Sequence, residues 1–326
     1  MLTQQHNNPP VASHHAPLPT LASADEAVNT RQSALVLQVG SDLDPGLERK
    51  QRPNEDTLFV IHGVMPSASP KPFALLVVAD GMGGQAHGQE ASQLAVGSLV
   101  EYVCGSLYSK QMTPEAFLPL LIEGVKSANR AVYQRNQEQR TVMGTTMTAT
   151  LVVDTTAYVA HVGDSRLYLY REAEGLSQIT QDHSLVAALV AAGVIQPEDI
   201  YTHPMRNLIY RFLGEKSTVE VDGCTVPLAA GDILLLCSDG LWEMVRDRQI
   251  AAILTTLLPD PSRKAHALIQ AALAGGGVDN VSVIVVQVSK QEHLSNRPSS
   301  LIPRPSSWGL LFLAGPRFPN SRSPSG

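Results

Sequence analysis

Apolar and polar positions along this chain change period several times, and each change marks an element. Residues 57–62 (TLFVIH) read as a strand after a turn. Residues 73–79 form a nearly pure apolar run, long enough for a buried strand and too short for a helix. In 145–154, Met147, Ala149, Leu151 and Val153 fall on one face at period two, as a strand requires. Over 113–136 the period changes. Phe117, Leu121, Val125, Ala128 and Val132 step by three or four and mark one buried helical face. Thr113 stands at the cap, Pro114 at the first helical position and Glu115 beside the positive helix end. A further helix is expected over 89–107, and 184–211 reads as a helix pair split near 193–197. Helices are also expected over 250–258 and 261–273, and strands over 157–163, 166–170, 232–237 and 281–288.

Strands gather at both ends of the pattern, with helices between. They do not alternate strand with helix, so the fold class is α+β. Antiparallel sheets with helices on their outer faces are expected, rather than a doubly wound parallel sheet.

Hydrophobic residues make up 44% of the 326, enough for a sizeable core. Residues 1–32 are rich in Pro, Ala, His, Ser and Asn without periodicity, and 290–326 in Pro, Ser and Arg. Both are expected to be disordered tails on one working domain over 33–289. An apolar island in the second tail (Trp308, Leu310, Leu311, Phe312) is a candidate docking segment. No apolar run approaches the roughly 20 residues of a membrane span, and the start lacks a secretory signal. Cys104, Cys224 and Cys237 are widely spaced among apolar neighbours. They read as core thiols of a cytoplasmic protein, not as a disulfide framework or a zinc site.

The net charge of -6 is uneven: residues 290–326 carry +4 and 33–289 carry -9. An acidic domain argues against nucleic acid, which calls for a basic face. It suits a site that gathers carboxylates round cations.

The acids recur at strand ends. Glu55 and Asp56 precede TLFVI, Asp80 follows LLVVA, Asp164 follows AYVAHVG, Asp239 follows ILLLCS, and Asp279 precedes Asn280 and VSVIVV. Each alone is an ordinary turn or strand cap, and Asp-Gly is a strong turn signal. Five such places in one domain, two of them Asp-Gly after an apolar strand, point further. On facing sheets they would meet in one cleft. An all-oxygen set suits Mg²⁺ or Mn²⁺ rather than zinc or copper. Paired ions of this kind activate water against phosphorus. Hydrolysis of phosphate monoesters needs rate enhancements on the order of 10²¹.

RKQRPNEDTLF, VVADGMGG, MGTTMTATLV, HVGDSRLYLY, TQDHSLV, LLLCSDGLWEMV and DNVSVIVVQV follow in this order over about 40–288. In order and spacing they resemble the motifs of the metal-dependent serine/threonine protein phosphatases of type 2C, in their compact bacterial form. The resemblance implies a four-layer α-β-β-α sandwich and hydrolysis of phosphoserine and phosphothreonine in proteins. The attacking water would bridge two Mg²⁺ or Mn²⁺ ions. Asp80 would bridge both metals, with the Gly81 carbonyl helping to bind one. Asp239 and Asp279 would hold the first ion, and Glu55 or Asp56 the second, directly or through water. Asp164 would hold a third, weaker ion together with Asp239. Phosphoprotein substrates and a cognate Ser/Thr kinase are the partners implied, with a monomer as the default. The rival reading is a phosphoprotein-binding regulatory module on the same fold that has lost turnover.

Two positions depart from the family pattern. Gln51 stands where the family has its phosphate-gripping arginine, with Arg49 and Arg52 on either side. Arg49 is taken in that role, and Arg52 is the alternative. Met82 replaces a histidine that some relatives use as general acid, which leaves the acid unassigned. His161 and His183 are candidates by type, with buried structural roles as the rival reading. The stretch 184–214 matches the family's flap, where Gly193 and Pro197 mark a hinge and substrate choice is expected.

Overall fold

The structure, a computed structural model, describes residues 35–65, 71–84, 87–109 and 112–290. The expected tails, and the apolar island at 308–312, lie outside the described residues apart from Lys290.

Eleven strands are described: β1 (Leu35–Asp44), β2 (Asp56–Val64), β3 (Pro72–Met82), β4 (Gly144–Thr145), β5 (Met147–Val153), β6 (Thr156–Val162), β7 (Arg166–Arg171), β8 (Gly175–Gln178), β9 (Asp222–Pro227), β10 (Ile233–Cys237) and β11 (Val281–Lys290). The helices are α1 (His87–Ser109), α2 (Pro114–Gln139), α3 (Leu185–Ala191), α4 (Asp239–Trp242), α5 (Asp247–Leu254) and α6 (Pro261–Ala274). One sheet has the order β2-β3-β5-β6-β9, with β4 paired to β3. The other has the order β1-β11-β10-β7-β8. Every pairing is antiparallel.

Side-chain alternation builds four layers. Phe73, Leu75, Val77 and Ala79 of β3 pack with Leu99, Leu121 and Val125 of α1 and α2. Ala74, Leu76 and Val78 point the other way, into a core shared with Leu234, Leu236, Ile284 and Val286 of the second sheet. Leu235, Val283 and Val285 face Trp242, Ile250 and Leu268 on α4, α5 and α6. Strands buried on both faces read as continuous apolar runs, which is why β3 and β10 stand out in the sequence. The four-layer α+β sandwich is therefore as expected.

Several elements differ in detail. β1 and β9 escape the sequence reading because their exposed residues interrupt the apolar pattern; they line the sheet edges. The run 145–154 breaks at Thr146, whose amide leaves the ladder to donate to the Asp80 carbonyl at 2.8 Å. In 184–211 only α3 is an α-helix. The second helix expected there is a single 3₁₀ turn, Pro197–Tyr201, and 202–211 holds no helix. α5 begins and ends earlier than expected. Thr113 takes the cap position of α2 in an extended conformation, but its side chain makes no capping bond. Cys237 is buried as expected, whereas Cys104 and Cys224 are only half-buried; all three are free. Among the described residues no helix is long and apolar enough to cross a membrane.

Candidate metal centre

The two sheets deliver their acids to one end of the sandwich. Asp56 opens β2 and lies directly opposite Asp80 near the end of β3. Asp164 lies in the turn from β6 to β7, Asp239 begins α4 straight after β10, and Asp279 stands just before β11. Serines of the second sheet's ends reach across to the first: Ser238 Oγ donates to Asp56 Oδ2 at 2.7 Å, and Ser282 Oγ donates to the same oxygen. Glu55 is pinned by its amide to Asn280 Oδ1 at 2.8 Å.

Glycine makes the approach of these strands possible. A Cβ on Gly81 would lie 2.1 Å from the Gly88 carbonyl oxygen and 2.6 Å from that of Glu55. On Gly88 it would lie 2.5 Å from Glu55 Oε1. No side chain fits at either place. The Asp80 carbonyl is held by Thr145 Oγ1 at 2.8 Å as well as by the Thr146 amide, and the Asp80 amide donates to Thr146 Oγ1 at 2.9 Å.

Electrostatically the cluster is short of positive charge. Burial raises the Asp80 carboxyl well above its ordinary range, and Asp239, Asp56, Asp279 and Asp164 add repulsion. Burial and then Asp164 and Asp279 do the same to Asp239. Asp56 is pushed up to about 6 by burial, against the lowering effect of its two serine bonds. Asp164 is pushed up to about 7 by burial and by Asp182. Asp279 is raised by burial, partly offset by Arg49. Buried oxygens without a hydrogen-bond partner include Glu55 Oε1, Asp56 Oδ1, Asp164 Oδ1 and Asp239 Oδ1. Orphaned, mutually repelling, all-oxygen groups fit a hard divalent cation. Among the described residues, no three His, Cys, Asp or Glu side chains are closed into a ready metal cage.

The structure separates the two arginine candidates. Arg49 Nη1 lies 3.0 Å from Glu55 Oε2 and 3.0 Å from Asp279 Oδ1. Arg52 is exposed and outside the cluster. The histidines are buried. His161 Nδ1 meets Thr148 Oγ1 at 2.9 Å, and burial together with His183 pushes its pKa down to about 4. His183 Nδ1 accepts from the Gly163 amide at 3.0 Å, and burial lowers its pKa too. Both rings are held by partners within the protein.

A family model for protein phosphatase 2C matches residues 46–274, which contain Arg49 and every acid of the cluster except Asp279. The chain belongs to the protein phosphatase 2C family. The serine/threonine protein phosphatase PstP of Mycobacterium tuberculosis is 37% identical over 270 residues, covering 81% of this chain and 47% of PstP. The chain thus spans about half the length of that relative. The protein phosphatase PhpP of Streptococcus pneumoniae is 36% identical over 220 residues, covering 67% of this chain and 87% of PhpP. The solved catalytic domain of PstP in complex with two manganese ions superposes with a TM-score of 0.64. It is 37% identical and covers 78% of this chain and all of that domain.

Around this 2C-type centre the structure adds residues that sequence reasoning missed. Glu243 stands on the residue after α4, four positions from Asp239 and hence on the same side of that turn. Burial raises its pKa, and Arg206 of the flap stands 3.5 Å away to offset this. The i, i+4 spacing in DGLWE was the available signal. Trp242 is core packing with a second duty: its Nε1 donates to the Asp164 carbonyl at 3.0 Å. Arg166 lies over that indole, 3.7 Å from the ring centre, and pairs with Asp182. The flap rests here as well, with the Arg246 guanidinium 3.3 Å above the Tyr201 ring. A cavity of about 870 Å³ lies beside the flap, lined by Val190, Pro197, Tyr201, Arg246 and Arg248 among others. None of the six acids lines it.

Proposed function

We propose that this protein hydrolyses phosphoserine and phosphothreonine in proteins, using Mg²⁺ or Mn²⁺ held by its strand-end carboxylates. The observation that carries the reading is the set of buried, unpartnered carboxylate oxygens at one end of the sandwich. Asp80, Asp239 and Asp279 would hold the first ion, and Asp80 would also serve the second, with the Gly81 carbonyl helping to bind one of the two. Glu55 or Asp56 would serve the second ion, directly or through water. Asp164 and Asp239 would take a third, weaker one. When bound, the ions supply an activated water and charge stabilisation for displacement at phosphorus.

The chain's own residues do the rest. Arg49 would grip the phosphate oxygens from the rim of the cluster. Ser238 and Ser282 hold one oxygen of Asp56 and turn the other inward. Thr145 and Thr146 fix the Asp80 backbone, so its carboxylate is preorganised. The flap over 184–214 would select the phosphoprotein. In this reading the working domain is 33–289 with tails on both sides, and the enzyme is a cytoplasmic monomer opposing a Ser/Thr kinase. The catalytically silent alternative would be expected to have lost at least one of the acids, and all six are present.

The test is phosphate release from a phosphothreonine peptide with and without Mn²⁺, for wild type and Asp239→Asn side by side. Mn²⁺-dependent turnover that collapses in the variant supports the proposal. No turnover with any divalent ion overturns it.

A further inference from the structure

Arg49 is held where a cation of the proposed centre would also be held. The loop that carries it is stitched to the loop before β11. The Leu47 and Glu48 amides donate to the Gly277 carbonyl at 2.7 and 3.2 Å. Asn280 Nδ2 donates to the Pro45 carbonyl at 2.9 Å, and Asn280 Oδ1 accepts from the Glu55 amide at 2.8 Å. The Arg52 amide closes a turn onto the Arg49 carbonyl at 2.8 Å. These bonds set the backbone from which one guanidinium nitrogen touches a carboxylate of each sheet, Glu55 beside β2 and Asp279 beside β11, at 3.0 Å each. Glu55 has one oxygen on Arg49 and the other buried without a partner.

We infer that Arg49 is an exchangeable counter-cation of the metal centre: its guanidinium and a divalent ion compete for Glu55 and Asp279. Ion loading then turns Arg49 out toward the cleft, where it is free to take a phosphate. The inference rests on the metal reading above and adds its regulation. Two ligands that exclude each other from shared oxygens must each weaken the other's binding. Arg49 therefore lowers the affinity for the ion. In the ion's absence, Arg49 is the cation paired with both Glu55 and Asp279 among the described residues, and it offsets their negative charge.

The experiment is a calorimetric titration of the full chain with Mn²⁺ for wild type, Arg49→Ala, Arg49→Gln and Arg52→Ala, with melting of each protein in EDTA and in saturating Mn²⁺. Both Arg49 variants are expected to bind Mn²⁺ about five-fold tighter or more, the lower end of ordinary coupling between sites. Arg52→Ala is expected to match wild type. In EDTA the Arg49 variants should melt below wild type, and saturating Mn²⁺ should close that gap. Unchanged or weaker Mn²⁺ binding in both Arg49 variants overturns the inference. So does an equal tightening in Arg52→Ala, which would mark a general charge effect. If wild type itself binds no Mn²⁺, the metal reading falls first, before any variant is compared.

Discussion

Two groups of buried carboxylates lie within this domain and meet opposite fates. Asp182 is paired with Arg166, whose Nε and Nη2 donate to its two oxygens at 2.6–3.1 Å, with side chains only 4% and 5% exposed. Burial works against the Arg166 charge, but Asp182 outweighs it and raises the arginine's pKa. At the strand ends nearby, Asp56 and Asp164 are equally buried and Asp80 and Asp239 half-buried, yet four acid oxygens of that centre are buried with no partner. The first group is complete within the chain. The second is left to be completed by something cationic from outside. Burial alone does not distinguish structure from function here; the supply of internal positive charge does.

The largest effects should come from breaking each side of that contrast. Asp80→Asn removes the carboxylate with the most acidic neighbours. Turnover should fall ~10³-fold or more, the scale of losing a preorganised charge-stabilising group. The same variant in EDTA should unfold at a higher denaturant midpoint, because a repelled buried charge is gone. A lower midpoint would show that Asp80 is structural. On the paired side, Arg166→Leu strands Asp182 and should destabilise by about 3–5 kcal/mol. The double variant Arg166→Leu/Asp182→Leu should recover most of that loss in chemical denaturation. No recovery would mean that stacking on Trp242, rather than charge, is what Arg166 contributes.

A smaller effect sharpens the contrast from outside. Mn²⁺ at about 100 times its dissociation constant should stabilise wild type by about 2.7 kcal/mol. The shift should shrink in Asp239→Asn, as read by melting temperature. The smallest effect is on pH. The folded-state pKa values of Asp56 and Asp164 rise to about 6 and about 7, above their unfolded value of 3.8. Between those values the folded state binds more protons than the unfolded, so stability declines as pH rises. In EDTA the protein should be more stable near pH 5 than near pH 8, with the loss complete once both groups have ionised. Saturating Mn²⁺ should flatten or reverse the slope. A stability in EDTA that rises over this range would contradict those shifts.

Much of this was legible from particular residues. The run ALLVVADGMGG announces β3 and Asp80, because a strand buried on both faces has no polar alternation and the first acid marks its approach to the sheet end, two residues before β3 stops at Met82. The convergence of Asp80, Asp239 and Asp279 followed from placing strand ends on two facing sheets. The different surroundings of Arg49, paired with Glu55 and Asp279, and of exposed Arg52 did not follow from the residues alone, since they depend on a loop tied to Gly277 and Asn280 far along the chain. Asp182 sits inside a quoted motif, but its partner Arg166 is chosen by the β7 backbone and cannot be read from spacing. β1 and β9 were hidden because an edge strand keeps one flank free and loses the apolar run. The second flap helix was expected past the break at 193–197, but α3 stops before Gly193 and Pro197 opens only a single 3₁₀ turn.

The account's central claim is that these carboxylates are buried and uncompensated until a cation arrives. It is tested most directly by counting protons released when Mn²⁺ binds, using calorimetry in two buffers of different ionisation enthalpy at pH 6 and pH 8. Groups raised to about 6 and about 7 are substantially protonated at pH 6 and must give up those protons to the ion. The account predicts clear proton release at pH 6, fading by pH 8, with both signals lost in Asp239→Asn. Mn²⁺ binding without proton release at pH 6 would show that the carboxylates were already ionised and compensated, and would contradict it.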